Sequence, residues 1–376
     1  MTPRRGRPLP LAPGTPGQVR DASAIAGAEA LAQGDAEGAP ERRSVPREGP
    51  MTDGFGRRIE YLRISVTDKC NLRCVYCMPL EGMEWLRRDE LLSFEEITRI
   101  VEAMAPLGLR RVRLTGGEPL VRRDLPELVA RLSAIPGIDD LSLSTNAVLL
   151  EEHAEALRDA GLNRVNVSLD SLDPERVDRI ARRPGSYERI MRGLEAAERF
   201  GFRPLKINVV LMEGMNDDEI PAFAELTRDR PWHVRFIEIM PTGANLALSE
   251  HRYLSCDEAL ARVRRLGRIE PVEGPTGNGP ATYYRYPGAA GTIGVITPMS
   301  HNFCDRCNRM RLTAEGQLRP CLFGDLQTDL RAALRSGQPL EPLIRDTLAV
   351  KPERHWLERG NTRGSGGLVA LSQTGG

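Results

Sequence analysis

The chain has 376 residues, 40% hydrophobic and 28% charged, and its 52 basic and 52 acidic residues give a formal net charge of zero. That length fits one large barrel or two domains, and the balanced charge excludes a general polyanion binder while leaving room for a local basic pocket. No apolar run of about 18 residues offers a membrane span and no signal-peptide core opens the chain. The reducing cytoplasm is therefore the expected compartment, where the seven cysteines read as metal ligands rather than disulfides.

Residues 1–50 are rich in Pro, Gly, Ala and Arg without sustained periodicity, so they read as a disordered extension that buries too little apolar surface to fold. A transit peptide is the competing reading, weakened by the acids Asp21, Glu29, Asp35, Glu37, Glu41 and Glu48, and Met51 offers an alternative start. From Tyr61 onward, short β-branched runs alternate with amphipathic stretches. Strands are predicted at Tyr61–Val66, Arg111–Thr115, Leu141–Thr145, Arg164–Leu169, Leu205–Leu211 and Val234–Met240. Between them helices are predicted at Phe94–Met104, Leu125–Leu132, Glu152–Ala160, Tyr187–Phe200 and Asp218–Thr227. Ser93 with Glu96 reads as a capping box, and Gly108, Gly161 and Gly201 as left-handed residues just past helix ends.

Six such units predict an α/β fold, a partial (βα)6 TIM-like barrel over residues 51–244, with chemistry at the C-terminal ends of its strands. Beyond Thr242 the pattern changes, with turn-rich stretches at 274–279 and 288–294 and a helix near 326–336. Residues 245–376 read as a smaller C-terminal α+β domain.

Cys70, Cys74 and Cys77 follow the first strand with CxxxCxxC spacing, and no fourth cysteine lies nearby. Three thiolates on a four-iron cluster leave one iron open to a substrate or cosubstrate. On residues alone a zinc site is the rival reading. Gly116-Gly117-Glu118-Pro119 closes the second strand, where glycines let the backbone approach a ligand closely. A second triad, Cys304, Cys307 and Cys321, carries Arg309 and Arg311 just after Cys307, and their planar donors suit a phosphate or a purine edge. A structural zinc completed by His301, or an electron-relay cluster, are its rivals. Cys256 stands apart and reads as an ordinary buried thiol.

The first triad, with Tyr76 before its last cysteine and Gly-Gly-Glu-Pro one strand later, resembles the radical S-adenosylmethionine superfamily. The runs Tyr61–Asp68 and Thr297–Leu312, over roughly residues 53–376, resemble the GTP 3′,8-cyclase family within it, which opens molybdenum cofactor biosynthesis. The resemblance implies two 4Fe-4S clusters and S-adenosylmethionine as cofactors, with GTP bound between the clusters. It implies a radical made from S-adenosylmethionine that takes hydrogen from the ribose 3′ carbon, after which that carbon attacks guanine carbon 8. Carried onto this chain, it implies contacts from Tyr76, Gly117, Ser168 and Met240 to S-adenosylmethionine. For GTP it implies Arg63, Arg113, Ser144, Lys206, Arg309, Met310 and Arg311, and it sends a C-terminal Gly375-Gly376 tail into the active site. Ser144 stands where the family usually has Thr, and Ala147 where a glycine is common. A flavodoxin- or ferredoxin-like electron donor, the next-step pyranopterin synthase and a homodimer are the partners it implies, with no nucleic acid and no membrane. The rivals are a radical enzyme that modifies a peptide, which would want more C-terminal cysteines, and a non-catalytic redox or zinc module. A GTPase lacks its Gly-x-x-x-x-Gly-Lys-Ser/Thr loop here.

Overall fold

The computed structural model describes residues 43–78, 83–241, 245–277 and 279–355. Six parallel strands form its centre: β1 (Tyr61–Ser65), β2 (Arg111–Thr115), β3 (Asp140–Thr145), β4 (Arg164–Ser168), β5 (Leu205–Leu211) and β6 (Trp232–Glu238). Their alternate residues, among them Leu62, Ile64, Val112, Leu114, Val165, Val167, Ile207 and Val209, are buried in the hydrophobic core, and the mostly polar residues between them face the opposite side. The crossovers carry α1 (Phe94–Met104), α2 (Leu125–Ser133), α3 (Leu150–Asp159), α4 (Pro174–Ala181), α5 (Ser186–Arg199) and α6 (Ile220–Asp229). Sequential strands pair in order and in parallel, giving the partial (βα)6 barrel expected from the alternation.

Local chemistry sets the boundaries. Ser93 and Glu96 form the reciprocal capping box at the start of α1. Gly161 and Gly201 follow the last turns of α3 and α5 at φ 99° and 71°, and Gly108 ends the turn after α1 at φ 95°. The pattern missed α4, although its start was marked: Asp173 caps the Arg176 amide and Pro174 occupies the first turn.

The chain then adds α7 (Leu246–His251), α8 (Cys256–Arg264), β7 (Glu270–Val272), β8 (Thr282–Arg285), β9 (Thr292–Ile296), β10 (Arg309–Leu312), β11 (Gln317–Arg319), β12 (Thr328–Asp329), α9 (Leu330–Arg335) and α10 (Leu340–Ala349). Its strands extend both edges of the central sheet, in the order β12-β11-β10-β1-β2-β3-β4-β5-β6-β9-β8-β7. β9 lies parallel to β6, and β10 parallel to β1. The turn-rich reading of 288–294 therefore gives way at Thr292, where β9 begins.

Residues 43–50, expected within the disordered extension, are tied down. The Arg43 amide donates to the Ala349 carbonyl, and the Arg345 guanidinium donates to the carbonyls of Pro46 and Gly49. Residues 1–42 lie outside the described residues. Among the described residues, no helix is long and apolar enough to cross a membrane.

Candidate active site

Two cysteine-lined cavities occupy the barrel. The first takes Cys70, Cys74 and Cys77 from the loop after β1, Gly116–Glu118 after β2, Ser144–Asn146 at the end of β3, Ser168 from β4 and Met240 after β6. All lie at the C-terminal ends of parallel strands. The second takes Cys304, Cys307 and Cys321 together with Arg63, Arg113, Arg235, Arg309 and Arg311. Both cavities open to solvent, and the two are similar in extent. Asn208, Ile237 and Met240 line both, so the two cavities share a wall.

The glycines of Gly116-Gly117-Glu118-Pro119 serve the protein more directly than a ligand. The Gly117 amide donates to the Thr67 carbonyl and the Glu118 amide to the Lys69 carbonyl, zipping this loop onto the cysteine loop. A Cβ on Gly116 would sit 2.3 Å from the Thr67 oxygen, and one on Gly117 would sit 2.4 Å from the oxygens of both Asp68 and Lys69. The close approach expected of these glycines is thus first to the backbone carrying the thiols. Gly116 also stands at φ 149°, within the range that favours glycine.

Glu118 is buried and accepts from the Thr145 hydroxyl and from the amides of Asn146 and Leu120. Burial pushes its carboxyl up to about 7 against those hydrogen bonds. It joins the β2 loop to the β3 loop, whose Asn146 amide nitrogen lies 3.9 Å from the Cys70 sulfur. The Tyr76 phenol donates to Asp170 at 2.8 Å, and Asn245 donates to the Tyr76 carbonyl, fixing the aromatic residue between the last two thiols of the motif.

Ala147 occupies the left-handed region at φ 60°, where glycine would be unstrained. Its methyl is fully buried, and a Cβ on Gly193 of α5 would lie 3.1 Å from it. The same Cβ would lie 2.3 Å from the Ala147 carbonyl oxygen, so Gly193 lets α5 pack closely against this loop.

Thiol chemistry differs between the triads. Burial pushes the Cys70 thiol up to about 11 and the Cys74 thiol well above its usual value. Burial also acts on Cys307, but Lys351 and Arg309 outweigh it and draw that thiol down to about 7. A bound cation deprotonates its thiol ligands outright. Among the described residues, no three His, Cys, Asp or Glu side chains converge as a single metal ion requires. In a four-iron cluster each thiolate takes a different iron, so three thiols need share a cavity and not a point. The donor set of each triad fits such a cluster. Cys256, by contrast, is fully buried and donates to backbone carbonyls, as expected of a packing thiol.

The second cavity has a cationic wall. Strand register places Arg311 beside Arg63, and Arg63 beside Arg113, in one row across β10, β1 and β2. Like charges side by side on a sheet repel. Burial and the neighbouring Arg311 and Arg113 hold Arg63 well below the usual guanidinium range, burial with Arg309 lowers Arg311, and burial with Arg164 and Arg235 lowers Arg113. The Tyr61 hydroxyl and the Asn208 side-chain oxygen, both on this wall, are buried and have no hydrogen-bond partner among the described residues. Such a wall asks for an anion with further polar atoms.

The side chains named from sequence divide as follows. Tyr76, Gly117, Ser168 and Met240 line the first cavity, and so does Ser144, which the resemblance assigned to GTP. Arg63, Arg113, Arg309 and Arg311 line the second. Met310 points the other way, into the hydrophobic core at 1% exposure, because alternate residues of β10 face opposite sides. Lys206 lines neither cavity; its ammonium donates to the Thr276 carbonyl at 2.7 Å. Gly375 and Gly376 lie outside the described residues. Arg235 and Asn208 were missed; each is an inward-facing polar residue in an otherwise apolar strand, which was the available clue.

The matching family models are the radical SAM superfamily over residues 64–227 and Molybdenum Cofactor Synthesis C over residues 232–357. The chain is 50% identical over 314 residues to the GTP 3′,8-cyclase of Pelotomaculum thermopropionicum, covering 82% of this chain and 96% of that one. It is 45% identical over 329 residues to the GTP 3′,8-cyclase of Moorella thermoacetica, covering 87% and 100%. The crystal structure of Streptococcus suis SuiB shares the fold at 14% identity with a TM-score of 0.53, over 76% of this chain and 65% of that chain. With both family models in place and curated relatives matched along almost their whole length, the chain belongs to the GTP 3′,8-cyclase family of radical S-adenosylmethionine enzymes.

Proposed function

We infer that this chain cyclises GTP to (8S)-3′,8-cyclo-7,8-dihydroguanosine 5′-triphosphate, the first step of molybdenum cofactor biosynthesis. The observation that carries this reading is the wall of Asn208, Ile237 and Met240 shared by two cysteine-lined cavities, one of them cationic. Cys70, Cys74 and Cys77 hold one 4Fe-4S cluster, and Cys304, Cys307 and Cys321 the other. When bound, the clusters and S-adenosylmethionine supply the hydrogen-abstracting radical and an open iron for the base.

The chain's own part is position and exclusion. Tyr76, Gly117, Ser168 and Met240 hold the cosubstrate over the first triad. Arg63, Arg113, Arg309 and Arg311 take the triphosphate and base, with the Met310 backbone between Arg309 and Arg311, and Ser144 reaches the substrate from the first cavity. Holding both reactants at one wall is worth up to roughly 7–11 kcal/mol of barrier. The C-terminal Gly375-Gly376 completes the enclosure. Residues 51–244 act as the radical-generating barrel and 245–376 as the substrate-holding part. The enzyme works in the cytoplasm, takes electrons from a flavodoxin- or ferredoxin-like donor, hands its product to a pyranopterin synthase, and is compatible with a homodimer.

Lys206 gives a pH-linked consequence. Burial and the neighbouring Arg235, Arg164 and Arg113 draw its ammonium down to about 6, so at pH 7.5 it is largely neutral in the free protein. Lys206 lies behind Arg113 and Arg235 of the cationic wall, so an anion bound at that wall favours its charged form, and binding above pH 6 takes up a proton. Calorimetry of GTP binding in buffers of different ionisation heat is expected to show this uptake, and Lys206→Met to remove it. Uptake of the same size in the variant would dissociate Lys206 from the substrate.

The activity is tested by incubating air-free, cluster-loaded protein with GTP, S-adenosylmethionine and a strong reductant. The expected product is a GTP isomer with a bond from the ribose 3′ carbon to guanine carbon 8. Release of 5′-deoxyadenosine without any GTP-derived cyclic product would refute the reading.

A further inference from the structure

Glu238, the last residue of β6, is fully buried, and among the described residues it pairs with no cation. All its hydrogen-bond partners are donors. One carboxylate oxygen accepts from the Cys256 amide at 3.1 Å and from the Ser300 hydroxyl; the other accepts from the amides of Met299 and Ser300, both at 3.0 Å. The Tyr253 phenol also hydrogen-bonds to Glu238, which raises its pKa. Cys256 opens α8, so the helix N-terminus adds its positive end to this shell.

The position matters as much as the bonding. Ile237, one residue before, and Met240, two residues after, are two of the three residues lining both cavities, and Glu238 itself lines the first. Met299 and Ser300 belong to the loop that runs from β9 through Phe303 to Cys304, the first thiol of the second triad. Pro298, in the same loop, lines the second cavity. The carboxylate therefore ties the end of a barrel strand at the shared wall to the backbone presenting the second triad.

We propose that Glu238 is a positioning residue that sets the register between the two cavities, so that the radical formed in one meets the substrate held in the other. A carboxylate is required because five donors surround it. Glutamine would turn an NH2 group against amide donors and leave at least one buried donor unpaired. The function lost is coupling rather than radical formation. This rests on the cyclase reading above, whose own failure shows separately, in a wild-type protein that forms no cyclic product.

The test compares Glu238→Gln and Ser300→Ala with wild type, measuring 5′-deoxyadenosine released per cyclised GTP. In Glu238→Gln this ratio is expected to rise by about tenfold to a hundredfold, the scale of one charge-assisted hydrogen bond, because cyclisation falls by that factor more than S-adenosylmethionine cleavage does. Ser300→Ala, which removes one hydroxyl and keeps both backbone donors, is expected to shift the ratio less and in the same direction. A second readout needs no turnover: with Cys70, Cys74 and Cys77 replaced, the change that GTP causes in the electron paramagnetic resonance spectrum of the second cluster should broaden in Glu238→Gln. An unchanged ratio in either folded variant, or equal loss of both activities with the folded fraction, overturns the proposal. Should Glu238→Gln fail to fold, the ratio in Ser300→Ala decides.

Discussion

Replacing Cys304, Cys307 and Cys321 together by Ala is expected to leave S-adenosylmethionine cleavage intact and to abolish ring closure, a loss of at least about 1000-fold, or roughly 4 kcal/mol of transition-state stabilisation. The separation follows from the layout. The second triad and its arginines lie on one side of Asn208, Ile237 and Met240, and the first triad with its own loops on the other. Among the described residues, none after Asn245 lines the first cavity. The variant should release 5′-deoxyadenosine on reduction and return GTP unchanged, as chromatography of both nucleosides will show. Cyclic product at an appreciable fraction of the wild-type rate would remove the second triad from the reaction.

The second large effect is expected at Gly117. In Gly117→Ala the new methyl meets the carbonyl oxygens of Asp68 and Lys69 at 2.4 Å, a contact that backbone cannot yield cheaply. Either the Gly-Gly-Glu-Pro loop or the cysteine loop must move, breaking the amide bonds from Gly117 to Thr67 and from Glu118 to Lys69. Overpacking of this kind costs about 1–3 kcal/mol of stability, and here the strain falls on the backbone that presents Cys70. The variant should lose the iron of the first cluster and S-adenosylmethionine cleavage, yet keep the second cluster, because Cys304, Cys307 and Cys321 lie in other loops. Iron analysis with cleavage assays reads both. A variant that keeps full first-cluster iron and cleavage would mean that the close packing is not required.

Much of this was legible beforehand because it is local. CxxxCxxC spacing, the capping box at Ser93 and Glu96, and alternating strand and helix periods depend on residues close together in sequence. What was not legible depends on long-range pairing. The row of Arg311, Arg63 and Arg113 exists because β10, some 250 residues after β1, pairs parallel beside it, and no periodicity reports that. The same register turns Met310 into the core between two cavity-facing arginines, so naming all three as contacts blurred one strand's two faces. Lys206 was named through the family resemblance; in the fold its ammonium donates to the Thr276 carbonyl. The role of Gly116 and Gly117 was seen as room for a ligand because the loop they press against is invisible until the strands are laid side by side. Glu238 lies inside the strand predicted over Val234–Met240 and drew no reading there; its meaning came only with Met299, Ser300 and Cys256 gathered around it.

The central claim is that one fold holds two separate three-thiol iron clusters on either side of a common wall. Iron and acid-labile sulfide counted on air-free protein, with Mössbauer spectra of wild type and of each triad replaced by Ala, test it most directly. The account predicts about eight irons and eight sulfides per chain, falling by half in either variant with a different spectral component lost each time. A single cluster in wild type, or zinc without sulfide at either triad, would contradict it.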